Sequence, residues 1–332
     1  MARVSIVLVT WNSARYLRRC LEGLAHQTHR DSELIVVDNA SSDASLEMVA
    51  AHATRLIRND TNRGFSVAVN QALEVATGEL LLVVNPDCHL LADYTTRLVA
   101  VFADPAVGSA TGMLIRARGF DIEPTGEIDS MGIRMTRTGR HLDLGQGERV
   151  DRTREAGNAR GGEGSGAGRL PFPVFGVSGA AAMFRVAFLR DVRIDGEALD
   201  EDFFAYREDA DLAWRGRLFG WTAVCEPNAV GYHVRRVTPE ARKELPPDVN
   251  MHSVKNRFLL RIKNEGVFLA LRNLPFELAR DLVVVIAALT IERTSLPAFT
   301  WLWRNRERVL AKRREIQGRR KVSDRELARW FR

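Results

Sequence analysis

The 332-residue chain is poor in cysteine and has no long apolar stretch. Cys20, Cys88 and Cys225 lie far apart with no CxxC pair, which excludes a disulfide framework or a cysteine zinc site and points to a reducing compartment. The longest unbroken apolar run, Leu282 to Leu289, has eight residues, against the roughly 18 to 20 that a bilayer span needs. No crossing helix is expected. The N-terminal MARVSIVLVTWN lacks a small-residue cleavage site and reads as a buried strand rather than a signal peptide. No GxGxxG follows that strand, and GxxxxGKS/T occurs nowhere. Without these phosphate-cradling loops, dinucleotide oxidoreductases and P-loop enzymes drop out.

What is present is an ordinary globular composition, 45% hydrophobic and 27% charged, which rules out collagenous, mucin-like and wholly disordered chains. The net charge of +6 is unevenly placed: residues 301–332 hold twelve Arg or Lys against four Asp or Glu, a local +8. The basic character belongs to the tail, where it suits nucleic acid or an anionic membrane surface.

Over the first 115 residues, short β-rich runs (Val4–Val9, Leu34–Val37, Leu80–Val84, and a weaker one at Arg55–Ile57) alternate with stretches of helical period such as Tyr16–Leu24 and Val67–Val75. Such alternation predicts an α/β fold with a centrally parallel sheet flanked by helices, and ligands beyond the carboxyl ends of its strands. From Gly119 to Arg169 the pattern dissolves, and the glycine-rich stretch at about 150–169 reads as a mobile loop. PFPVFGVSGAAAMF then reads as a strand and turn leading into a helix, followed by a polar helix at 207–219 and a strand at 222–225. A helical C-terminal region is expected over 250–332, appended to a domain of residues 1–249, with breaks at Pro275 and Pro297.

The residues just after each strand are acids and amides: Thr10-Trp11-Asn12, Asp38-Asn39, Asn59–Asn62 and Asn85-Pro86-Asp87. A carboxylate at Asp38 could accept the imide N–H of uracil or thymine, or it could simply cap the next helix. Asp87 could hold a hard divalent cation against a diphosphate, although Asn-Pro-Asp is also good turn chemistry. Acids concentrate in LDEDFFAYREDADLAWR. The helix dipole and the i,i+4 spacing of Asp211 and Arg215 account for some of them, but consecutive Glu208 and Asp209 leave room for a general base whose ionised form the dipole favours. His233 is either structural or a ligand, and Arg235 and Arg236 behind it could neutralise phosphate oxygens.

In this order VSIVLVTWN, VVDNASSD, NRGFSVAVNQAL, Asn85-Pro86-Asp87, VSGAAAMF, LDEDFFAYREDADLAWR and the His233 segment resemble family-two glycosyltransferases of the GT-A fold over residues 3–265. Within that family the chain looks like bacterial rhamnosyltransferase-type enzymes using dTDP-rhamnose. The resemblance implies inverting transfer from a dTDP- or UDP-sugar to a glycan or lipid-linked acceptor in cell-envelope polysaccharide synthesis. It maps pyrimidine recognition onto Asp38, with Thr10, Trp11, Asn12, Asn39, Arg63, Asn85 and Arg235 lining the nucleotide site. The metal, Mg²⁺ or Mn²⁺, falls on Asp87 and His233, and the base on Asp209 with Glu208 beside it. Asn85 replaces the first acid of the family's DxD motif, leaving Asp87 as that motif's single carboxylate. A sugar-nucleotide nucleotidyltransferase shares the architecture but would carry a glycine-rich basic signature where this chain has TWNSARY. A nucleic-acid-binding protein would show aromatic-studded sheet motifs that are missing here, so no nucleic-acid partner is expected. The implied location is cytoplasmic, with the C-terminal helices resting on the cytoplasmic face of the inner membrane or pairing with a second copy.

Overall fold

The computed structural model describes residues 2–150, 170–235 and 247–332. The segment expected as a mobile loop lies outside these residues apart from Val150. The chain begins with β1 (Val4–Thr10), α1 (Ala14–Ala25), β2 (Ser32–Asp38), α2 (Ser45–Ala50), β3 (Arg55–Arg58), α3 (Phe65–Val75) and β4 (Leu80–Val84), so every expected strand and helix is present within a few residues. β1 pairs in parallel with both β2 and β4, and β2 with β3. Residues of β1 and β4 are almost wholly buried, as a sheet covered on both faces requires. Because the chain leaves β1 toward β2 on one side and returns to β4 on the other, a crevice opens where the direction of winding reverses, at the carboxyl ends of β1 and β4.

Beyond β4 come β5 (Cys88–Leu90), α4 (Tyr94–Val101), β6 (Val107–Arg118), β7 (Glu123–Ser130), β8 (Ile133–Met135) and β9 (His141–Asp143). The region expected to lack pattern after Gly119 therefore carries three strands among its described residues. They escape a periodicity search because each is short or pairs irregularly: β7 joins β6 across two register shifts, and β8 and β9 form a separate hairpin. β10 (Phe172–Val174) follows, then β11 (Ala181–Arg185), which inserts antiparallel between β4 and β6. The GAAAMF run is thus a central strand, and the helix expected there, α5 (Val186–Asp191), starts only after it.

The expected polar helix is α6 (Glu208–Leu218), yet Asp211, Arg215 and Arg217 are buried, each satisfied by internal partners. β12 (Thr222–His233) runs well past Cys225 because Pro227 falls in a register shift between Glu226 and Val230, where a proline breaks no ladder bond. Helices α7 (Pro247–Asn264), α8 (Val267–Thr290), α9 (Pro297–Arg304), α10 (Arg306–Arg319) and α11 (Asp324–Leu327) complete the described fold. Pro275 does not break a helix; it sits inside α8. The break comes earlier at Gly266, where a Cβ would approach the Asp324 carboxylate to 2.2 Å. Pro297 opens α9, where its missing N–H costs nothing.

Candidate active site

Four segments meet at the crevice. Register places Thr10 beside Asp38 at the ends of β1 and β2. Asp38 is 2% exposed, and its carboxylate accepts from Thr10 Oγ1 (2.9 Å), Ser41 Oγ (2.6 Å) and the Ser41 amide (3.0 Å). It therefore holds the turn after β2 and caps no helix, since α2 begins only at Ser45. Asn12, at φ 48°, accepts from the Ser42 amide at 2.8 Å, so its carboxamide oxygen ties the turns after β1 and β2 together. Between them Trp11 stands half exposed at the mouth of the crevice. Asn39 is buried and donates to the Gly64 carbonyl (3.1 Å), which anchors the 59–64 loop, while Arg63 on that loop is exposed.

Asn85 and Asp87 sit in the turn between β4 and β5. The Asn85 amide donates to the Ala180 carbonyl (2.8 Å), and the amide of the neighbouring Gly179 donates to Asp209 Oδ2 (3.1 Å). The consecutive residues Gly179 and Ala180 thus link the Asn85 turn to the start of α6. Asp209 is partly exposed at that helix start, whereas Glu208 is buried and its Oε2 has no hydrogen-bond partner among the described residues. Burial, reinforced by the Asp209 and Asp211 charges, pushes the Glu208 carboxyl up to about 8. Burial, with the Asp143 charge, also raises Asp209, outweighing the bonds from Gly179 and Ala210 and the Arg207 charge.

The approach to α6 is strained. Phe204, Tyr206 and Arg207 all have positive φ (63°, 70° and 72°), a conformation costing about 1–3 kcal/mol per non-glycine residue that accumulates where function demands it. The contacts that hold it come from afar. Asn256 Nδ2 of α7 donates to the carbonyls of Phe203, Ala205 and Tyr206 at 2.7–2.9 Å. On the other side Gly64, at φ 87°, lies so close that a Cβ would meet the Phe204 carbonyl at 2.6 Å.

His233 reaches Asp87 through the sheet: in the β5–β12 ladder it faces Cys88, which brings its Nε2 to 3.6 Å from Asp87 Oδ1. Its Nδ1 lies 2.8 Å from Asp129 Oδ2. Burial works against the imidazolium, but the bonds and charges of Asp129 and Asp87 prevail and raise His233 to about 10. Asp129 is buried, and despite burial its bonds to His233 and Arg235 hold it well below the carboxylate range. It is the extra residue of the β6–β7 bulge, since Leu114 faces Ser130 and Ile115 faces Ile128. No motif marks it in the sequence.

Asp87 Oδ1 is buried and has no hydrogen-bond partner among the described residues. That oxygen faces the His233 imidazole at 3.6 Å without a hydrogen bond of its own, so a divalent cation that displaced the imidazolium proton would fit between the two. Cys88 also lies within reach, although its thiol donates to the Ala180 carbonyl (3.3 Å) and burial raises its pKa. Arg235, expected against phosphate, spends its guanidinium on Asp129 (2.9 Å) and Asp143 (2.6 Å).

The fold has solved counterparts. A mannosyltransferase from Pyrobaculum calidifontis in complex with GDP-Man and Mn²⁺ aligns with TM-score 0.54 and 20% identity over 93% of this chain and 81% of that one. GalNAc-T7 with UDP, GalNAc and Mn²⁺ aligns with TM-score 0.61 and 14% identity, covering 79% and 48%. These likenesses establish a GT-A-like fold. A PGL/p-HBAD biosynthesis glycosyltransferase of Mycobacterium bovis is 37% identical over 103 residues, 30% of this chain and 40% of the relative. The chain spans about two fifths of the length of such curated relatives. The sequence pattern of glycosyl transferase family 2 matches residues 5–193, more than half of the protein, and the chain belongs to that family.

Proposed function

We propose that the protein transfers a sugar, L-rhamnose by resemblance, from a dTDP- or UDP-sugar to a hydroxyl of a glycan or lipid-linked acceptor, with inversion. The work would take place at the cytoplasmic side of the inner membrane in cell-envelope polysaccharide synthesis. One observation carries the reading: the consecutive residues Gly179 and Ala180 bond to both sides, the Gly179 amide to Asp209 at the helix start and the Ala180 carbonyl to the turn bearing Asp87, whose Oδ1 makes no hydrogen bond among the described residues. A diphosphate site and a base are, in this reading, held together through these two residues.

In this reading Asp38 and Trp11 meet the pyrimidine, while Thr10, Asn12 and Asn39 shape the turns around it. Asp87 and His233 hold Mg²⁺ or Mn²⁺, which when bound supplies Lewis-acid stabilisation of the departing diphosphate. Asp209 takes the proton of the acceptor hydroxyl as its oxygen bonds to the anomeric carbon and the bond from that carbon to the diphosphate breaks. Burial raises the pKa of Asp209, which makes its carboxylate a stronger base. Arg235 acts at one remove, by fixing Asp129 behind His233.

The test is a panel of sugar nucleotides with pyrimidine and purine bases, assayed for hydrolysis and transfer with Mg²⁺, Mn²⁺ or excess chelator. Turnover of a pyrimidine donor, lost in chelator and giving a product of inverted configuration, is expected. Consumption of a purine donor alone, or retention of configuration, overturns the assignment.

A further inference from the structure

Helix α8 is built inside out. Its polar residues face the protein: Asn273 and Glu277 are buried, Glu277 pairs with Arg261 of α7 (3.0 Å), and Asp281 pairs with Arg257 (3.0 Å) and Arg261. Apart from buried Leu269, its leucines face out. Val267, Leu271, Leu274, Leu278, Leu282 and Leu289 recur at intervals of three, four or seven residues, and Leu271, Leu278 and Leu282 are 67%, 58% and 61% exposed. At 1.5 Å per residue this row runs for about 33 Å, with exposed Phe268, Val283 and Ile286 beside it. A soluble surface helix normally places these two faces the other way round. A contiguous apolar strip of this length marks a contact surface.

We infer that this face of α8 lies on an anionic lipid surface, in the plane of the headgroups. Two observations choose lipid over a second copy of the chain. The row is followed in the chain by a basic segment: residues 301–332 carry a local +8, of which Arg308 and Lys312 are paired with Asp202, Glu197 and Asp200. Within it Trp303 is 70% exposed, with exposed Arg304 beside it and the Arg306 guanidinium over its ring. Anionic headgroups neutralise that charge, whereas a second copy brings the same excess to the contact. Tryptophan with arginine is also the pairing that sits well at a headgroup boundary. No described helix is long and apolar enough to cross a membrane, so the face lies on the bilayer rather than through it. The inference stands apart from the transferase reading, because vesicle binding and donor turnover are separate measurements.

The experiment is flotation of the full-length protein with phosphatidylcholine vesicles and with vesicles containing 30 mol% phosphatidylglycerol, alongside sedimentation velocity without lipid. Binding to the anionic vesicles that falls with salt is expected. The triple variant Leu271→Gln/Leu278→Gln/Leu282→Gln should lower it about tenfold or more, as loss of the buried apolar contact requires. Arg304→Glu/Arg306→Glu should weaken binding to the anionic vesicles specifically. That second variant changes only exposed side chains, and thermal melting of both verifies their folding. Failure of the wild type to float with either vesicle overturns the inference, as does a wild-type dimer that the leucine variant dissociates.

Discussion

The clusters around His233 and around Lys263 are assembled from the same groups, buried aspartates and basic partners, yet one is closed and the other open. At Lys263 each charge is answered. Its ammonium meets Asp200 and Asp211 (2.9 Å), Lys312 meets Asp200 (2.7 Å) and Glu197 (2.9 Å), and Arg215 meets Asp211 (2.8 Å). At His233 the chain from Arg235 through Asp129 to the imidazole ends on Asp87, whose Oδ1 is left without a hydrogen bond among the described residues. Buried charge networks gain little net stability over apolar packing and are better understood as devices for placing things. The closed cluster places the Asp200–Arg207 approach to the base against α7 and α10; the open one keeps a position for a ligand.

The comparison can be broken at several points. The largest effect is expected at the base: Asp209→Asn should lower kcat about 10²- to 10⁴-fold while leaving donor affinity intact, and transfer kinetics beside calorimetric donor titration would show a mistaken assignment as near wild-type turnover. Next comes the closed cluster. Lys263→Met leaves Asp200 and Asp211 facing each other without that ammonium, which should cost about 3–5 kcal/mol in denaturant unfolding; a loss within the noise would mean that the network is slack.

Asp129→Asn sharpens the open side. Its carboxylate orients His233, so Mn²⁺ affinity, measured by titration in the presence of UDP, should fall about 10- to 100-fold. An unchanged metal constant would remove Asp129 from any positioning role.

The last test concerns Glu208. Because its folded pKa is raised from 4.5 to about 8, the folded state keeps a proton that the unfolded chain releases. Its contribution to stability is therefore full at low pH and lost as pH rises from about 4.5 through 8. Melting temperature measured against pH should decline over that window in the wild type, and the decline should flatten in Glu208→Gln. Parallel profiles would place the proton elsewhere.

Much of the donor half was open to reading from the chain alone. The runs at Val4, Leu34 and Leu80 are simple β patterns between helical ones, and the polar residues after them had to fall at the carboxyl ends of a parallel sheet. The pairing of Asp87 with His233 came only through resemblance, since 146 residues separate them and nothing local links them. Asp129 was missed because its strand is irregular and its role arises from a bulge. Asn256 was missed for a different reason: an asparagine in a helix gives no hint that it will hold three carbonyls of a loop some fifty residues earlier.

By itself, then, the sequence determined the alternation of strands and helices, the positions where chemistry could sit, and the unequal distribution of charge. Each of these depends on neighbours within a few residues, where side-chain period and backbone preference act directly. Tertiary structure alone decided which carboxylates are satisfied and which are not, that burial raises Asp209 and Glu208, and that α8 turns a row of leucines outward. Those outcomes depend on desolvation and on partners brought in from distant strands and helices, quantities that no local pattern contains.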